Sequence, residues 1–375
     1  MSEEERGPRD YRPPKDAQEL LKRYAAGERY FAHASLPMAD LSGAGLVEAN
    51  LQGANLIETT FRDADLRSAN FQGANLRGSD LQKAKLLNTK LRDADLQDAN
   101  LAETTGLLAG QLGGANVCGA KLPGEIRNFD GLKSVEEVSK HAGSLLFSLL
   151  LACVYSWLTI ATTTDALLLT NSASSPLPII VAAVPIVAFY LAAPLFLLGL
   201  YTYLHLNLQR LWEGLAELPA IFPDGRPLDK KAYPWLLNSL VCVHLPRLKK
   251  YRPPLSRVQV GISVFIAWWL GPLTILLFWA RYLRRHDWTA TMLLVVLLTA
   301  SIGAAIALYS LAAATLRGER RRPLTLKEAL KNPRSYKRSA LILAVGIVFY
   351  LFSFGAIDGI RADFASATAD SPLTA

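Results

Sequence analysis

Residues 31–60 read FAHASLPMADLSGAGLVEANLQGANLIETT, and a large apolar residue stands at every fifth position of this stretch. A period of five fits neither the 3.6 residues of an α-helical turn nor the two-residue alternation of a β-strand. The pattern therefore predicts a solenoid built from five-residue repeats. Its centres in unbroken register are Phe31, Leu36, Leu41, Leu46, Leu51, Leu56, Phe61, Leu66, Phe71, Leu76, Leu81, Leu86, Leu91, Leu96 and Leu101.

A small residue precedes each centre by two positions from Leu36 onward. These small sites are Ala34, Ala39, Ala44, Ala49, Ala54, Thr59, Ala64, Ala69, Ala74, Ser79, Ala84, Thr89, Ala94 and Ala99. After Leu101 the register slips by one residue through Thr104, Thr105 and Gly106. It then resumes at Leu107, Leu112, Val117 and Leu122. The slip is typical of a loop inserted at one corner of a coil, and a functional protrusion is the alternative.

The repeats resemble the pentapeptide-repeat family in triplets such as Ala54-Asn55-Leu56, Ala64-Asp65-Leu66 and Ala94-Asp95-Leu96. This resemblance implies a right-handed quadrilateral β-helix over residues 31–126, with four repeats per coil and the apolar and small residues pointing inward. An open solenoid end exposes unpaired backbone groups, so a cap is required. Within residues 1–30 we expect a capping helix over Asp16–Ala26, closed by Gly27.

The second half of the chain contains five apolar stretches of the length that an α-helix needs to span a bilayer. They cover residues 142–161, 177–204, 258–280, 290–316 and 339–357. The sequence thus predicts an α-helical integral membrane domain over 142–357, joined to the solenoid by a linker at 127–141. A flexible tail is expected over 358–375. Proline at 185 and 194 and the Gly271-Pro272 pair predict kinks in the second and third stretches.

Charge is distributed unevenly along the chain. Residues 1–140 carry 18 Lys or Arg against 21 Asp or Glu, whereas residues 141–375 carry 22 against 11. The loops 205–257 and 317–338 hold nine Lys or Arg each, which predicts that both face the cytoplasm. With a cytosolic solenoid, five spans place the C-terminus outside a bacterial cytoplasmic membrane. The basic turn at 281–288 (RYLRRHDW) disagrees with this topology.

Residues for binding are predicted at two kinds of place. A small-residue face on the fourth stretch suits close helix packing, within the chain or between protomers. Basic residues beside the spans suit lipid headgroups, and a short amphipathic helix running from Asp229 toward His244 suits the membrane surface. The packing residues are Ser301, Gly303, Ala304 and Ala307, and the headgroup residues are Lys249, Lys250, Arg252, Arg284 and Arg285.

The sequence contains no motif typical of catalysis, metal binding or nucleotide binding. The five histidines are scattered, the three cysteines have no metal or disulfide spacing, and no nucleophile elbow or nucleotide loop occurs. We therefore expect neither an enzyme nor a cofactor.

The leucines at 204, 208, 211, 215 and 218 follow a heptad-like spacing and predict a stripe packed on the chain itself or on a partner.

Two functions follow from these features. In the first, the solenoid is a membrane-anchored interaction or assembly scaffold; in the second, the chain is a homo-oligomeric ion channel or membrane-disrupting effector gated through the solenoid. The expected partners are membrane lipids, further copies of the chain and an unidentified cytosolic protein. Nucleic acid is not expected, because the basic charge clusters between bilayer-length stretches. A gyrase-directed role, known for some pentapeptide-repeat proteins, needs a long acidic rod that this chain does not have.

Overall fold

Each coil of the N-terminal solenoid takes twenty residues. In the computed structural model, parallel backbone bridges join residues twenty apart, as in Tyr30–Asn50, Asn50–Asn70 and Asn70–Lys90. Four five-residue repeats therefore complete one turn, in agreement with the predicted β-helix of pentapeptide repeats. Within the part of the chain that the structure describes, these are isolated single-residue bridges rather than extended strands, because the chain turns a corner after every repeat.

The structure describes residues 11–126, 129–171, 185–232, 237–245, 248, 255–318 and 333–369. Their contacts divide the chain into two units. The solenoid forms the first unit together with described residues of 210–260 and 315–318. The second unit takes described residues of 141–209, 261–314 and 319–375.

The solenoid interior is filled by the apolar centres and the small residues between them. All centres from Phe31 to Leu101 are buried, as are the small sites between them except Ala39, which is half-buried. Phe61 meets Phe71 edge-on with ring centroids 5.8 Å apart. Thr59, Ser79 and Thr89 replace Ala at three small sites. Their hydroxyls donate to backbone carbonyls, each at 2.8 Å, so no polar group is buried without a partner there.

Asparagine or aspartate before a centre stabilises the following corner. The Asn50 side-chain oxygen accepts from the Gln52 N–H at 3.1 Å, and Asn70 and Gln72 repeat this bond at 3.0 Å. Such local bonds are the reason that these residue types favour turns. The second residue after each centre from Phe31 to Leu101 has a positive φ, for example 58° at Asp63.

The predicted register slip is confirmed. Lys85 bridges Thr105, twenty residues on, whereas Asp95 bridges Asn116, twenty-one residues on. The extra residue lies between Thr105 and Asn116, in a stretch that contains a 3₁₀ turn, Ala109–Leu112.

The predicted N-terminal cap is also present, as helix α1 (Ala17–Ala25). Asp16 is its N-cap and accepts from the Glu19 N–H at 2.8 Å. Leu20 is fully buried, and the Tyr24 hydroxyl donates to the Val47 carbonyl at 2.9 Å, so the helix is fixed to the first coil.

Most of the described chain after the solenoid is helical. The helices are α2 (Gly131–Thr162), α3 (Asp165–Thr170), α4 (Ile186–Glu217), α5 (Leu228–Lys231), α6 (Asn238–His244), α7 (Ser256–Val264), α8 (Leu270–Tyr282), α9 (Trp288–Leu316) and α10 (Pro333–Ala369). Five helical segments in the described residues are long and apolar enough to cross a membrane: α2, α4, residues 256–285, α9 and residues 339–357.

Several predicted boundaries differ from the structure. The linker 127–141 is already helical from Gly131, and the flexible tail is helical as far as Ala369. The second span begins at Ile186 and runs into the predicted loop as far as Glu217, while the start of that prediction, 177–184, lies outside the described residues. Helices thus continue past the apolar stretches, because hydropathy marks the bilayer core and not the end of backbone hydrogen bonding.

The kink predicted at Gly271-Pro272 takes the form of a π-helical turn, Phe265–Trp269, between α7 and α8. Pro272 has no N–H, so the Trp268 carbonyl four residues earlier loses its helical donor. The Tyr201 hydroxyl replaces that donor at 3.1 Å. His205 Nε2 lies 3.0 Å from the neighbouring Ala267 carbonyl. Two side chains of α4 therefore satisfy the backbone that the proline interrupts.

We predict that replacing Phe61 by Ala in the full chain destabilises the solenoid by about 3–5 kcal/mol, because the substitution leaves a cavity in a closely packed interior. Thermal melting followed by circular dichroism, with limited proteolysis of residues 31–126, measures the effect. Arg77→Ala, at an exposed site of the next coil, is the control and should melt as the wild type does. Equal melting of both variants would show that Phe61 does not support the interior.

Candidate functional site

The final coil of the solenoid is completed by a segment that follows α4, residues 218–228, here called the return segment. Its Ile221 forms a parallel bridge with Asn116. The Gly114 N–H donates to the Leu218 carbonyl at 2.9 Å, and the Val117 N–H donates to the Ile221 carbonyl at 3.0 Å. The return segment thus supplies hydrogen-bond partners to an end of the solenoid that would otherwise be open.

The return segment repeats the pattern of the solenoid it covers. Ala220 and Phe222 are separated by two positions, as a small residue and its centre are in every repeat, and both are buried. Phe222 meets Phe129 edge-on with centroids 5.2 Å apart. A turn through Gly225, with φ of 75°, returns the chain so that the Phe222 N–H donates to the Arg226 carbonyl at 3.0 Å. Ala220-Ile221-Phe222 therefore acts as one additional repeat, separated in sequence from the others.

Arg92 joins the solenoid to the ends of two long helices. Its guanidinium donates through one NH₂ group to the Ala216 carbonyl, in the last turn of α4, at 3.0 Å. The other NH₂ group donates to the Leu316 carbonyl, the last residue of α9, at 3.1 Å. Helix C-termini carry unpaired carbonyls and partial negative charge, so an arginine fork suits two of them at once. Burial lowers the pKa of Arg92, which still stays protonated at neutral pH.

Two glycines make room for this contact. A Cβ at Gly113 would lie 2.5 Å from the Ala216 carbonyl oxygen, and a Cβ at Gly318 would overlap the Arg92 side chain. Gly318 also has a φ of 71°, as expected of a glycine that ends a helix. Any larger residue at either site would separate the helix ends from the solenoid.

The leucine stripe of α4 is confirmed as a packing surface of the chain itself, since all five of its side chains are buried. The predicted membrane-surface helix is not confirmed. The structure has two short helices, α5 and α6, and buries Leu240, Val241 and Leu245. Leu240 and Val241 are covered by protein and not available to lipid, which contradicts the prediction for these two residues. Val243 is half-buried, and Trp235 and Leu236 lie outside the described residues.

The small-residue face of α9 packs partly within the chain. A Cβ at Gly303 would lie 3.3 Å from the side chain of Ile342 on α10, and one at Gly346 would lie 3.1 Å from Thr299 on α9. Glycine on each helix thus admits a larger side chain of the other, which is the packing expected of spans. Ser301 is buried, Ala304 is half-buried and Ala307 is exposed.

The basic turn at 281–288 is bonded to residues around α3. Arg281 and Arg284 both pair with the Asp165 carboxylate, Arg284 at 2.7 Å, and Arg281 also donates to the Thr163 carbonyl. Arg285 donates to the Leu168 carbonyl. Hydrogen bonds from Arg281 and Arg284 lower the pKa of Asp165, which keeps this carboxylate charged at neutral pH. Of the predicted headgroup residues, Arg284 and Arg285 therefore have protein partners, while Lys249, Lys250 and Arg252 lie outside the described residues.

Neither the return segment nor the role of Arg92 is predicted by the sequence. The Ala-x-Phe spacing at 220–222 was the available signal for the first, but a single repeat is too short to recognise alone. Arg92 stands at an outward position that holds Gln in the two preceding coils (Gln52 and Gln72), so nothing in the pattern separates it from solvent-facing residues. Among the described residues, no group of three or more His, Cys, Asp or Glu could hold a metal ion.

Twenty-residue coils with buried centres five positions apart define a β-solenoid of short repeats. The model of the family described as Pentapeptide repeats matches eight copies, over residues 30–63, 44–82 and 69–105. This chain belongs to the pentapeptide-repeat family.

Three solved structures of the family each match about a quarter of this chain. The pentapeptide repeat protein alr5209 from Nostoc Pcc 7120 is 30% identical over 26% of this chain and 93% of its own, with a TM-score of 0.16. The protein Rfr23 from the cyanobacterium Cyanothece 51142 is 32% identical over 25% of this chain and 53% of its own, also with a TM-score of 0.16. A thylakoid-lumen pentapeptide repeat protein of Arabidopsis thaliana is 25% identical over 24% of this chain and 69% of its own, with a TM-score of 0.14. No curated protein matches.

We predict that Arg92→Ala frees the ends of α4 and α9 together and lowers the unfolding free energy by about 3 kcal/mol, since two charge-assisted hydrogen bonds are lost. Hydrogen exchange in the last turn of each helix should accelerate. Arg92→Lys should give a partial effect, because one ammonium does not reproduce the fork, and Arg77→Ala should change neither helix. Faster exchange in only one helix end would contradict a joint anchor.

We predict that Gly303→Leu lowers thermal stability by about 1–3 kcal/mol through overpacking against Ile342. The mass of the particle in nanodiscs, read by native mass spectrometry, should stay that of the wild type. Ala307→Leu, on the exposed part of the same helix, is the matched control and should change neither quantity. A loss of mass in the Gly303→Leu particle would instead place this face between protomers.

Proposed function

We propose that this protein is a membrane-anchored scaffold whose cytosolic solenoid presents its side faces to a protein partner. The observation that carries the proposal is the return segment. Because residues that follow the second candidate span complete the solenoid, the solenoid includes residues from both sides of the first two candidate spans. A solenoid whose last repeat comes from beyond two candidate spans suits a binding surface that acts at the membrane.

We propose five spans with the solenoid and both basic loops in the cytosol and the C-terminus outside. Two observations support this topology. The Ala216 and Leu316 carbonyls, at the ends of α4 and α9, both accept from Arg92, as expected if those ends lie on the side of the solenoid. The excess of Lys and Arg in the loops that follow them agrees with a cytoplasmic location. The Asp165 carboxylate offsets part of the basic turn on the opposite side.

We predict that reporters fused after Gly27, Lys230 and Lys327 read cytosolic and that one fused after Ala375 reads external. The physical reason is the cost of moving two loops of nine basic residues across the membrane. Paired alkaline phosphatase and fluorescent-protein fusions provide the measurement, each serving as the control for the other. A cytosolic reading at Ala375 would require an even number of spans.

Both ends of the solenoid are covered by the chain itself, α1 at one end and the return segment at the other. Copies of the chain therefore have no open edge through which to stack end to end. A partner is left with the side faces, whose outward positions hold residues such as Asp40, Arg62, Arg77 and Lys85. Such a mixed, charged surface suits a protein partner better than lipid tails.

The channel alternative has less support. Two grooves among residues 265–349, of about 630 and 330 Å³, are lined by apolar side chains such as Trp269, Ile302 and Phe349. A pathway for ions needs polar groups or water along its length. The predicted oligomer face, moreover, packs in part on Ile342 of the same chain.

Proximity labelling in cells tests the scaffold directly. A labelling enzyme fused to the N-terminus should mark a reproducible set of cytosolic proteins with the wild type and with Arg77→Ala. Leu66→Asp, which places an unpaired carboxylate in the solenoid interior, should insert normally and lose that set. If wild type and Leu66→Asp mark the same proteins while reconstituted wild type conducts ions, the channel reading replaces the scaffold.

A further inference from the structure

Two leucines near the register slip are exposed on the outside of the solenoid. Leu87 is 50% exposed and Leu108 is 65% exposed. Both follow a buried centre directly, Leu87 after Leu86 and Leu108 after Leu107, and both stand where a repeat ordinarily places a polar residue. We call Leu87 and Leu108 the leucine ledge.

The chain around the ledge is held in one conformation. The Gln111 side-chain amide donates to the Leu86 carbonyl at 2.9 Å and to the Thr89 carbonyl at 2.7 Å, while its oxygen accepts from the Leu108 N–H at 2.5 Å. At Gly106, with φ of 75°, a Cβ would lie 2.9 Å from Leu87 backbone atoms, so the inserted loop sits directly on Leu87. An ordered loop loses little conformational entropy when a partner covers it.

The charge beside the ledge is positive. Lys85 lies two residues before Leu87 on the same outward side, and Lys90 follows Thr89, whose carbonyl is bonded to Gln111; both lysines are exposed. Among the described residues neither ammonium group has a carboxylate within 4.0 Å. The Asp65 carboxylate, on the coil before Lys85, is bonded to Arg67 at 2.8 Å and also attracts Lys85. Three cations, Arg67, Lys85 and Lys90, therefore stand against this one carboxylate. The site therefore combines two apolar side chains with two cations.

We propose that the leucine ledge is a docking site for an acidic segment of a cytosolic protein that carries a large aliphatic or aromatic residue beside its carboxylates. The apolar residue would cover Leu87 and Leu108, and the carboxylates would meet Lys85 and Lys90. The charge pattern is what selects this occupant, since lysines disfavour a basic partner and steer an acidic one toward the site. This inference rests on the proposed scaffold function and names the face that the scaffold uses.

Peptide display against the purified full chain in nanodiscs tests the proposal, with a random twelve-residue library as the probe. We expect enriched sequences in which Asp or Glu flanks a Leu, Ile, Phe or Trp. Binding of the enriched peptide should weaken at least ten-fold with Leu87→Ser, with Leu108→Ser and with the double change Lys85→Glu, Lys90→Glu. Met38→Ser removes another exposed apolar side chain of the solenoid and should leave the affinity unchanged. All variants are at exposed positions and should melt as the wild type does.

Three results would overturn the proposal. They are the recovery of no common sequence, the recovery of one without carboxylates, and the recovery of one whose affinity is the same for wild type and Leu108→Ser. The proximity-labelling set separates this failure from failure of the scaffold itself. If the labelled set depends on a folded solenoid but is unchanged in Leu108→Ser, the protein is a scaffold that binds its partner through a different face. If it is the same for wild type and Leu66→Asp, the scaffold fails as well.

Discussion

Backbone hydrogen bonding at the two ends of the solenoid is the constraint on which the rest of this structure depends. Every interior coil exchanges backbone hydrogen bonds with the coil before it and the coil after it, so the first and last coils would each have an unpaired side. The chain solves the problem at the N-terminal end with a helix that follows ordinary capping rules. At the other end it uses a strand-like segment reached only after two long helices. The return segment that closes this end directly follows α4, and the last turn of α4 is bonded to Arg92.

How much of the structure the sequence predicts depends on how far apart along the chain the interacting residues lie. The five-residue period is local, so the solenoid, its register slip and its first cap could be inferred from Phe31 to Leu122 alone. Apolar length likewise located five helices. The return segment was missed because its partner, Asn116, lies about 100 residues earlier, and one bridge leaves no periodic signal. Arg92 was missed for a related reason, since an outward arginine is ordinary until two helix ends are placed over it. The amphipathic pattern near Leu240 was read correctly as an apolar face, but sequence does not say whether protein or lipid covers such a face.

In the helical half, too, polar groups that would otherwise lack a hydrogen-bond partner are bonded to other parts of the chain. Pro272 interrupts a helix, and Tyr201 and His205 from α4 supply the hydrogen bonds that the proline removes. The basic turn concentrates three arginines, and Asp165 together with backbone carbonyls engages all three. In both places a group that would be costly in a bilayer is satisfied by another part of the chain. The proline and the arginines that look out of place in an apolar sequence therefore each have a bonding partner elsewhere in the chain.

The separation between the return segment and the coil it covers also has a consequence in time. A ribosome adds about 5–20 residues each second, so roughly 5–20 s pass between synthesis of Asn116 and synthesis of Ile221. During that interval the first two spans must enter the membrane while the solenoid already made carries an exposed edge. Nascent chains on neighbouring ribosomes of one messenger would then hold such edges close together. Once Ile221 pairs with Asn116, a finished copy no longer offers this edge to unfinished copies nearby.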